Sequence, residues 1–198
     1  MQVTGFLLKM NLEDEDRFYS ALGDFRQQPE NLRSQIEPHL TLTLSPIPPV
    51  NKQNLIAVLK EKLQGHVAIN INFGNAQLLN GSQWLALPVN SQQVYDLHLD
   101  VIDIVKDFND GLYMTKYLQQ NINEREREYL LRYGYIRVKE FFQPHVTIGH
   151  YDNLEIAQHY LSLAPKLDGS FSFNRLVVED LDAETWETEE VVMEVELK

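Results

Sequence analysis

Two short segments of this sequence repeat one pattern around a histidine and a threonine. Residues 38 to 42 read PHLTL, and residues 144 to 148 read PHVTI. Both alternate apolar and polar residues, which is typical of a strand with one buried face. On such strands His39 and Thr41 share one face, and His145 and Thr147 share the equivalent face of the second strand. The sequence therefore offers two imidazoles, each beside a hydroxyl, on faces opposite the apolar residues.

Two such pairs around one space are suited to cleaving a phosphodiester. Histidine titrates near neutrality, so one ring can accept a proton from water while the other, protonated, donates one to the departing oxygen. The hydroxyls of Thr41 and Thr147 would donate hydrogen bonds to the non-bridging oxygens, where negative charge accumulates in the transition state. Gly149 would allow close approach of a phosphate. His150, an odd number of residues from His145, is expected on the opposite face.

Each histidine strand is followed by a similar set of elements. A turn leads to an amphipathic helix that ends at Gly65 or Gly169, and an alternating strand then runs to Phe73 or Phe173. A repeated unit of this size predicts two lobes related by a pseudo-twofold axis, whose histidine strands meet across a shared cleft. The predicted fold class is α+β, with two mainly antiparallel sheets flanked by helices around that cleft.

Capping and turn signals place other elements. Asn11 is expected to open a helix that Pro29 stops, and Asn51 and Ser91 are expected to cap two further helices. The Asn80–Gly81 pair predicts a hairpin. Two closing strands are expected around an acidic turn near the end of the sequence.

With these motifs, the sequence resembles the 2H phosphoesterase superfamily, in particular its 2′-5′ RNA ligase and cyclic-nucleotide phosphodiesterase branch. PHLTL and PHVTI match its two His-x-Thr/Ser motifs, and the resemblance covers nearly the whole chain in motif order, spacing and length. It implies a single bilobal domain over residues 1–198 that uses no metal or other cofactor and hydrolyses 2′,3′-cyclic or 2′-5′ phosphodiesters. It also implies that His39 and His145 are the acid–base pair and that Thr41 and Thr147 bind the phosphate. The pseudo-symmetry leaves open which histidine is the base.

The segment 109–140 is predicted to be an insertion that borders the cleft. Residues 116 to 139 carry six basic and three acidic side chains, and aromatic residues lie among them. That combination is suited to base stacking and phosphate contact. We predict Arg137 as a further phosphate contact, and Phe142 and Tyr135 as base or ribose contacts. A helical insertion that simply packs its aromatic residues is the alternative interpretation.

Composition narrows the class of function. The chain has 198 residues, of which 43% are hydrophobic and 23% charged, and it has no Cys, which excludes disulfide frameworks, thiolate zinc sites and cysteine nucleophiles. No apolar run approaches the roughly 20 residues of a bilayer span, and no signal peptide is evident. The net charge of −12 opposes general binding to a polyanion. We therefore expect a cytoplasmic monomer that acts on a small nucleotide or short RNA, with no DNA or membrane partner.

Two alternatives stay open at this stage. The first is a non-catalytic module on the same fold that binds a nucleotide or an RNA end. The second is an interaction protein that works through the closing hairpin, since residues 179 to 198 hold nine acidic residues and one basic residue. Such charge runs are more often a solvated face. His98, close to the apolar stripe of its helix, is expected to be a core histidine.

Overall fold

The structure is a computed structural model that describes residues 2–32 and 37–198. Most of its strands follow the alternating segments of the sequence. Among the described residues, the strands are β1 (Gln2–Met10), β2 (His39–Ser45), β3 (Ile69–Ile71), β4 (Gln77–Leu78), β5 (Trp84–Pro88), β6 (His145–His150), β7 (Phe171–Asp182) and β8 (Thr188–Glu196). The hairpin around Asn80 is confirmed, because β4 and β5 pair antiparallel on either side of it.

The helices begin where a side chain accepts a hydrogen bond from a free backbone N–H group of the first turn, or where a proline removes one such group. Among the described residues, they are α1 (Leu12–Leu22), α2 (Pro49–Leu63), α3 (Gln92–Val105), α4 (Glu124–Tyr133) and α5 (Leu154–Leu163). Asn11 and Ser91 accept hydrogen bonds from backbone N–H groups of α1 and α3, which confirms both predicted caps.

Three predicted helix boundaries were wrong, and the first is the end of α5, which lies at Leu163 and not at Gly169. α1 ends at Leu22, well before Pro29, because Gly23 leaves the helix with a φ of 50°. α2 begins at Pro49, two residues before the predicted cap Asn51. Proline suits the first position of a helix because it lacks the N–H that would have no partner there.

The strands form one antiparallel arrangement that is nearly divided in two. The strand order is β3-β7-β1-β2-β6-β5-β4. The remaining strand, β8, pairs with residues 175–181 of β7, after the three residues of β7 that pair with β3. β2 and β6 meet at a single residue pair, Leu40 with Val146. Two sheets, one ending in β2 and the other in β6, are therefore joined at one point, and helices accompany both. The predicted α+β class with two mainly antiparallel sheets is confirmed.

The repeat in the sequence is not carried through the whole topology. The strands that follow Gly65 and Gly169 are β3 and β7, and these pair with each other through Ile69 and Phe173. Both therefore lie in the sheet that contains β2, whereas a strict two-lobe repeat would separate them. Phe173 is buried in this pairing, whereas Phe73 lies beyond the end of β3 and forms an isolated bridge with Val89.

One main core lies against the apolar side of both histidine strands. Leu40, Leu42, Val146 and Ile148 belong to it, together with apolar side chains from α1, α2, α3 and α5. A second cluster packs α4 against the ends of β1, β2 and β7. The two histidine strands are thus fixed by burial of their alternate residues. No helix within the described ranges is long and apolar enough to span a bilayer.

The first acidic residues of the closing hairpin are not a solvated face. Glu179 and Asp180 are buried, and each pairs with a lysine from elsewhere in the chain, Lys9 and Lys52. Thr4 donates a further hydrogen bond to Asp180. Part of the acidic run therefore holds the sheet together, because buried carboxylates need such partners.

His98 is a core histidine, as predicted. Its Nδ1–H donates to the carbonyl of Leu42 at 2.7 Å, and its Nε2 accepts from the backbone N–H of Lys139 at 2.9 Å. This arrangement fits only the neutral ring, and burial lowers the pKa of His98 to about 4. The ring links β2 to the segment that leads into β6.

Acidification is expected to destabilise the fold through His98. The unfolded chain binds this proton near pH 6.5 and the folded chain only near pH 4, so stability is lost as pH falls between those values. The loss amounts to roughly 3 kcal/mol. Urea unfolding of the wild type and of His98→Gln at pH 7, 5.5 and 4.5 measures it. We expect a shallower pH dependence in the variant, and equal slopes would contradict the assignment.

Candidate active site

The β2–β6 register brings the two histidine–threonine pairs together. Leu40 and Val146 lie opposite each other with their side chains in the core. The next positions along each strand, His39 and Thr41 on β2 and His145 and Thr147 on β6, lie on the face opposite the core. The two histidines therefore lie on either side of this single residue pair, diagonally across the two strands. The four side chains therefore face the same side of the junction between β2 and β6.

Each imidazole is held in the same way by the chain just before it. The Nδ1–H of His39 donates to the carbonyl of Glu37 at 2.9 Å, and the Nδ1–H of His145 donates to the carbonyl of Gln143 at 2.7 Å. With the proton on Nδ1, the neutral ring has its lone pair on Nε2. Protonated, the same Nε2 becomes a donor. Each ring can therefore act as base or acid through one atom.

The electrostatic environment lowers the pKa of both histidines below the ordinary value of 6.5. Burial is the main cause for His39, and the charges of Lys9 and His145 lower it further, against the Glu37 carbonyl and the Glu179 charge. Burial also dominates at His145, where Arg137 adds to it against the Gln143 carbonyl. Because His145 acts on the pKa of His39, the two rings lie within electrostatic reach of each other.

The threonine hydroxyls face the same space as the histidines. Thr41 and Thr147 are half-buried, and neither hydroxyl has a hydrogen-bond partner within residues 2–32 and 37–198. Half-buried hydroxyls without protein partners can donate to a bound anion. The structure thus brings together four of the residues that the sequence singled out, two imidazoles and two hydroxyls.

A β-bulge changes the far end of β6. Leu85 pairs with Gly149 and Ala86 with Thr147, so Ile148 is the extra residue. Gly149 consequently faces the core, where an added Cβ would lie 2.7 Å from the hydroxyl oxygen of Tyr151. The prediction that Gly149 faces a phosphate is therefore wrong. A small residue is required there because Tyr151 packs against it.

The same bulge returns His150 to the face that carries His145. Its ring stacks on that of Trp84 with centroids 4.0 Å apart. The prediction of opposite faces is wrong, since it assumed an uninterrupted alternation. Asn31 fixes the edge of this bulge: its amide donates to the carbonyl of Ile148 at 3.2 Å and accepts from the N–H of His150 at 3.1 Å. These bonds satisfy backbone groups that β2 does not reach.

A buried ion pair beside His39 was not anticipated from the sequence. Lys9 lies opposite His39 in the β1–β2 register, and its Nζ binds Glu179 at 2.6 Å and Glu37 at 2.9 Å. Thr188 donates to the second oxygen of Glu179. Burial lowers the pKa of Lys9, but the two carboxylates outweigh it and the pKa is raised. The sequence feature that could have indicated this ion pair is the lysine within the apolar run of β1.

The family follows from the sequence match that accompanies this geometry. A family model described as the 2′-5′ RNA ligase superfamily matches residues 14–185, which include both histidine–threonine pairs. The chain belongs to the 2′-5′ RNA ligase superfamily. A search of curated protein sequences gives no significant match.

Solved structures show that the chain has the 2H phosphoesterase fold of this superfamily. E. coli LigT complexed with NADP⁺ is 12% identical, with a TM-score of 0.61 over 100% of this chain and 98% of LigT. The complex of E. coli LigT with 3′-AMP is 13% identical, with a TM-score of 0.57 over the same shares. TT0787 of Thermus thermophilus is 11% identical, with a TM-score of 0.62 over 100% of this chain and 98% of that chain.

The segment 109–140 packs most of its aromatic residues in this superfamily member. Tyr135 is 9% exposed and its ring meets that of Tyr117 edge-on, which does not agree with its predicted base contact. Phe142 is partly buried, and His98 stacks on one face of its ring at 3.9 Å. Arg137 is exposed, and its charge reaches His145. Of these three predicted contacts, Arg137 has the position best suited to a substrate.

Metal sites in proteins are built from clusters of acidic residues, histidines or cysteines. Within the part of the chain that the structure describes, no group of three or more such side chains is arranged to hold a metal ion. The chemistry that the site can carry out with its own groups is proton transfer by two imidazoles and hydrogen bonding by two hydroxyls.

Proposed function

We propose that this protein is a phosphodiesterase that hydrolyses a 2′,3′-cyclic phosphate or a 2′-5′ phosphodiester in a small nucleotide or RNA end. The observation that carries the proposal is the Leu40–Val146 pair, which sets two imidazoles and two hydroxyls on one face. Family membership supports a phosphoesterase reaction at this position. We further propose that the enzyme needs no metal and works as a cytoplasmic monomer.

The geometry supports a single displacement at phosphorus. The Nε2 of one neutral histidine takes a proton from water while the water oxygen forms a bond to phosphorus. The bond from phosphorus to a ribose oxygen breaks, and the Nε2–H of the other, protonated histidine gives its proton to that oxygen. Thr41 and Thr147 donate hydrogen bonds to the non-bridging oxygens, which gain negative charge in the transition state.

A small nucleotide is the substrate that the comparisons favour. The solved LigT structures include complexes with NADP⁺, ATP and 3′-AMP. The same fold covers all of this chain, so we propose that its cleft also accepts a nucleotide. A chain with a net charge of −12 is unsuited to tracking long nucleic acid, which favours a mononucleotide or an RNA end.

A substrate screen tests the proposed function. The substrates are 2′,3′-cyclic mononucleotides, 2′-5′ oligoadenylate, cyclic dinucleotides and ADP-ribose cyclic phosphate, each with and without EDTA. The double variant His39→Ala/His145→Ala serves as the blank. We expect one class of substrate to be hydrolysed, at the same rate with and without EDTA. Nucleotide binding without any product over hours would favour a binding module, and activity in the blank would reject the mechanism.

The rate of hydrolysis is expected to fall as pH rises through neutrality. The reaction requires one protonated histidine, and burial lowers the pKa of both His39 and His145 below 6.5. The acid is therefore lost first on the alkaline side, and kcat/KM should fall about tenfold per pH unit above pH 7. Initial rates from pH 5 to 8.5 measure this limb. A flat profile over that range would show that these histidines do not transfer the protons.

A further inference from the structure

A groove of about 300 Å³ lies near the start of the strand that carries His145, and none of the four residues of the proposed mechanism lines it. Gln143, whose carbonyl holds the His145 ring, lines it, and so does Arg137, whose charge acts on that ring. The groove extends from there to Gln120 and Asn121, between α4 and the short 3-10 helix Thr115–Gln119, and to Asn80 on the β4–β5 turn. Its volume is at the lower end of the range for small-ligand sites.

The lining of this groove has free polar groups of two kinds. Within the described ranges, the guanidinium of Arg137 has no ion pair or hydrogen bond, although acidic residues outnumber basic ones in the chain. The side chains of Gln120, Asn121 and Gln143 likewise make no hydrogen bond in that part of the protein. Unpaired polar groups that converge in a groove are available to a ligand.

Both carboxylates of the groove accept hydrogen bonds within the protein, and Arg125 also offsets the charge of Glu140. Glu126 accepts from the backbone N–H of Asn123 in the capping box of α4. Glu140 accepts from the hydroxyl of Tyr129 and from Arg125. Besides these two carboxylates, the groove presents to a ligand one cation and several carboxamides that have no partner among the residues that the structure describes.

Free carboxamides beside a free guanidinium fit a nucleotide. An amide side chain donates and accepts at once, which matches the mixed edge of a nucleobase. A guanidinium binds phosphate oxygens. Ile122 and Phe141 add apolar surface against which a ribose or base can pack.

We propose that this groove binds the nucleoside on the His145 side of the scissile phosphate, with its base recognised by Gln120 and Asn121 and its phosphate contacted by Arg137. The proposal rests on the proposed function and narrows its substrates to nucleotide esters with a base on that side. Non-nucleotide phosphodiesters lack the group that the carboxamides recognise and would bind more weakly.

Equilibrium binding of products tests the groove without depending on catalysis. The probes are 3′-AMP, 2′-AMP and inorganic phosphate, titrated calorimetrically into the wild-type protein. Gln120→Ala/Asn121→Ala is expected to weaken binding of one AMP isomer about tenfold and to change phosphate binding less than about twofold. Arg137→Met should weaken binding of both that isomer and phosphate about tenfold.

Two neighbouring variants are matched controls. Gln119 and Arg127 are exposed and do not line the groove. Gln119→Ala and Arg127→Met should therefore leave the affinities for AMP and for phosphate unchanged. Failure of the wild type to bind either AMP isomer would overturn the inference, as would equal losses of AMP and phosphate in the Gln120/Asn121 variant. Groove-dependent AMP binding by a protein that hydrolyses nothing would instead reject the proposed function and keep the groove.

Discussion

Replacing either histidine of the cleft with alanine is expected to lower kcat for the best substrate of the screen by about 10³-fold. His39→Ala removes one proton-transfer group and His145→Ala removes the other, and each ring is held by a backbone carbonyl that the variants leave in place. Both groups act in the same displacement, so neither can replace the other. KM should change much less than kcat, because the threonine hydroxyls and Arg137 remain.

His159→Ala is the control for these variants. His159 is exposed on α5, which takes no part in the pairing of β2 with β6, and its replacement should leave kcat unchanged. Thermal melting of all three variants separates loss of activity from loss of fold. Full activity in either His39→Ala or His145→Ala would end the two-histidine mechanism. A variant that binds 3′-AMP normally but turns over no substrate would support it.

Lys9→Met is expected to cause the largest loss of stability among single changes near the cleft. The variant leaves Glu179, 3% exposed, without its cation, and an uncompensated buried charge costs about 3 kcal/mol or more. It also frees Glu37, whose carbonyl orients His39. Denaturant unfolding at pH 7 measures the loss. Because Lys9 lowers the pKa of His39, an NMR titration should find that pKa raised in the variant.

Two further variants show whether the buried charge is the cause. Lys9→Met/Glu179→Gln removes the charge as well as its partner and should regain much of the lost stability. Lys106→Met breaks a surface pair with the exposed Asp103, which should cost at most about 1 kcal/mol. If Lys106→Met were as destabilising as Lys9→Met, the burial of the Lys9–Glu179 pair would not explain the effect.

Much of the site could be predicted from the sequence because its signals are local. The PHLTL and PHVTI segments alternate with the period of a strand, and that period alone puts each histidine on the face of its threonine. The helix starts at Asn11 and Ser91 depend on side chains that bond to the backbone within three residues. The side-chain exposures around the histidines agree with this alternation.

Other features of the site depend on pairings between distant parts of the chain. The bulge at Ile148 interrupts the alternation of β6 because β5 and Asn31 both bond to it, so Gly149 faces the core and His150 faces outward. Residues on β6 alone do not encode those partners. The expectation for Gly149 and His150 therefore failed although the strand itself was placed correctly.

The sequence by itself determined which residues could move protons, that they lie on strands, and that the chain mixes helices with antiparallel sheets. Only the tertiary structure decided that β2 and β6 meet at one pair, that Lys9 is neutralised by Glu179 beside His39, and that Tyr135 is buried. The physical reason is range. Alternation and capping are fixed by neighbours a few residues apart, whereas strand pairing and burial of charge are fixed by the packing of segments that lie far apart in the chain.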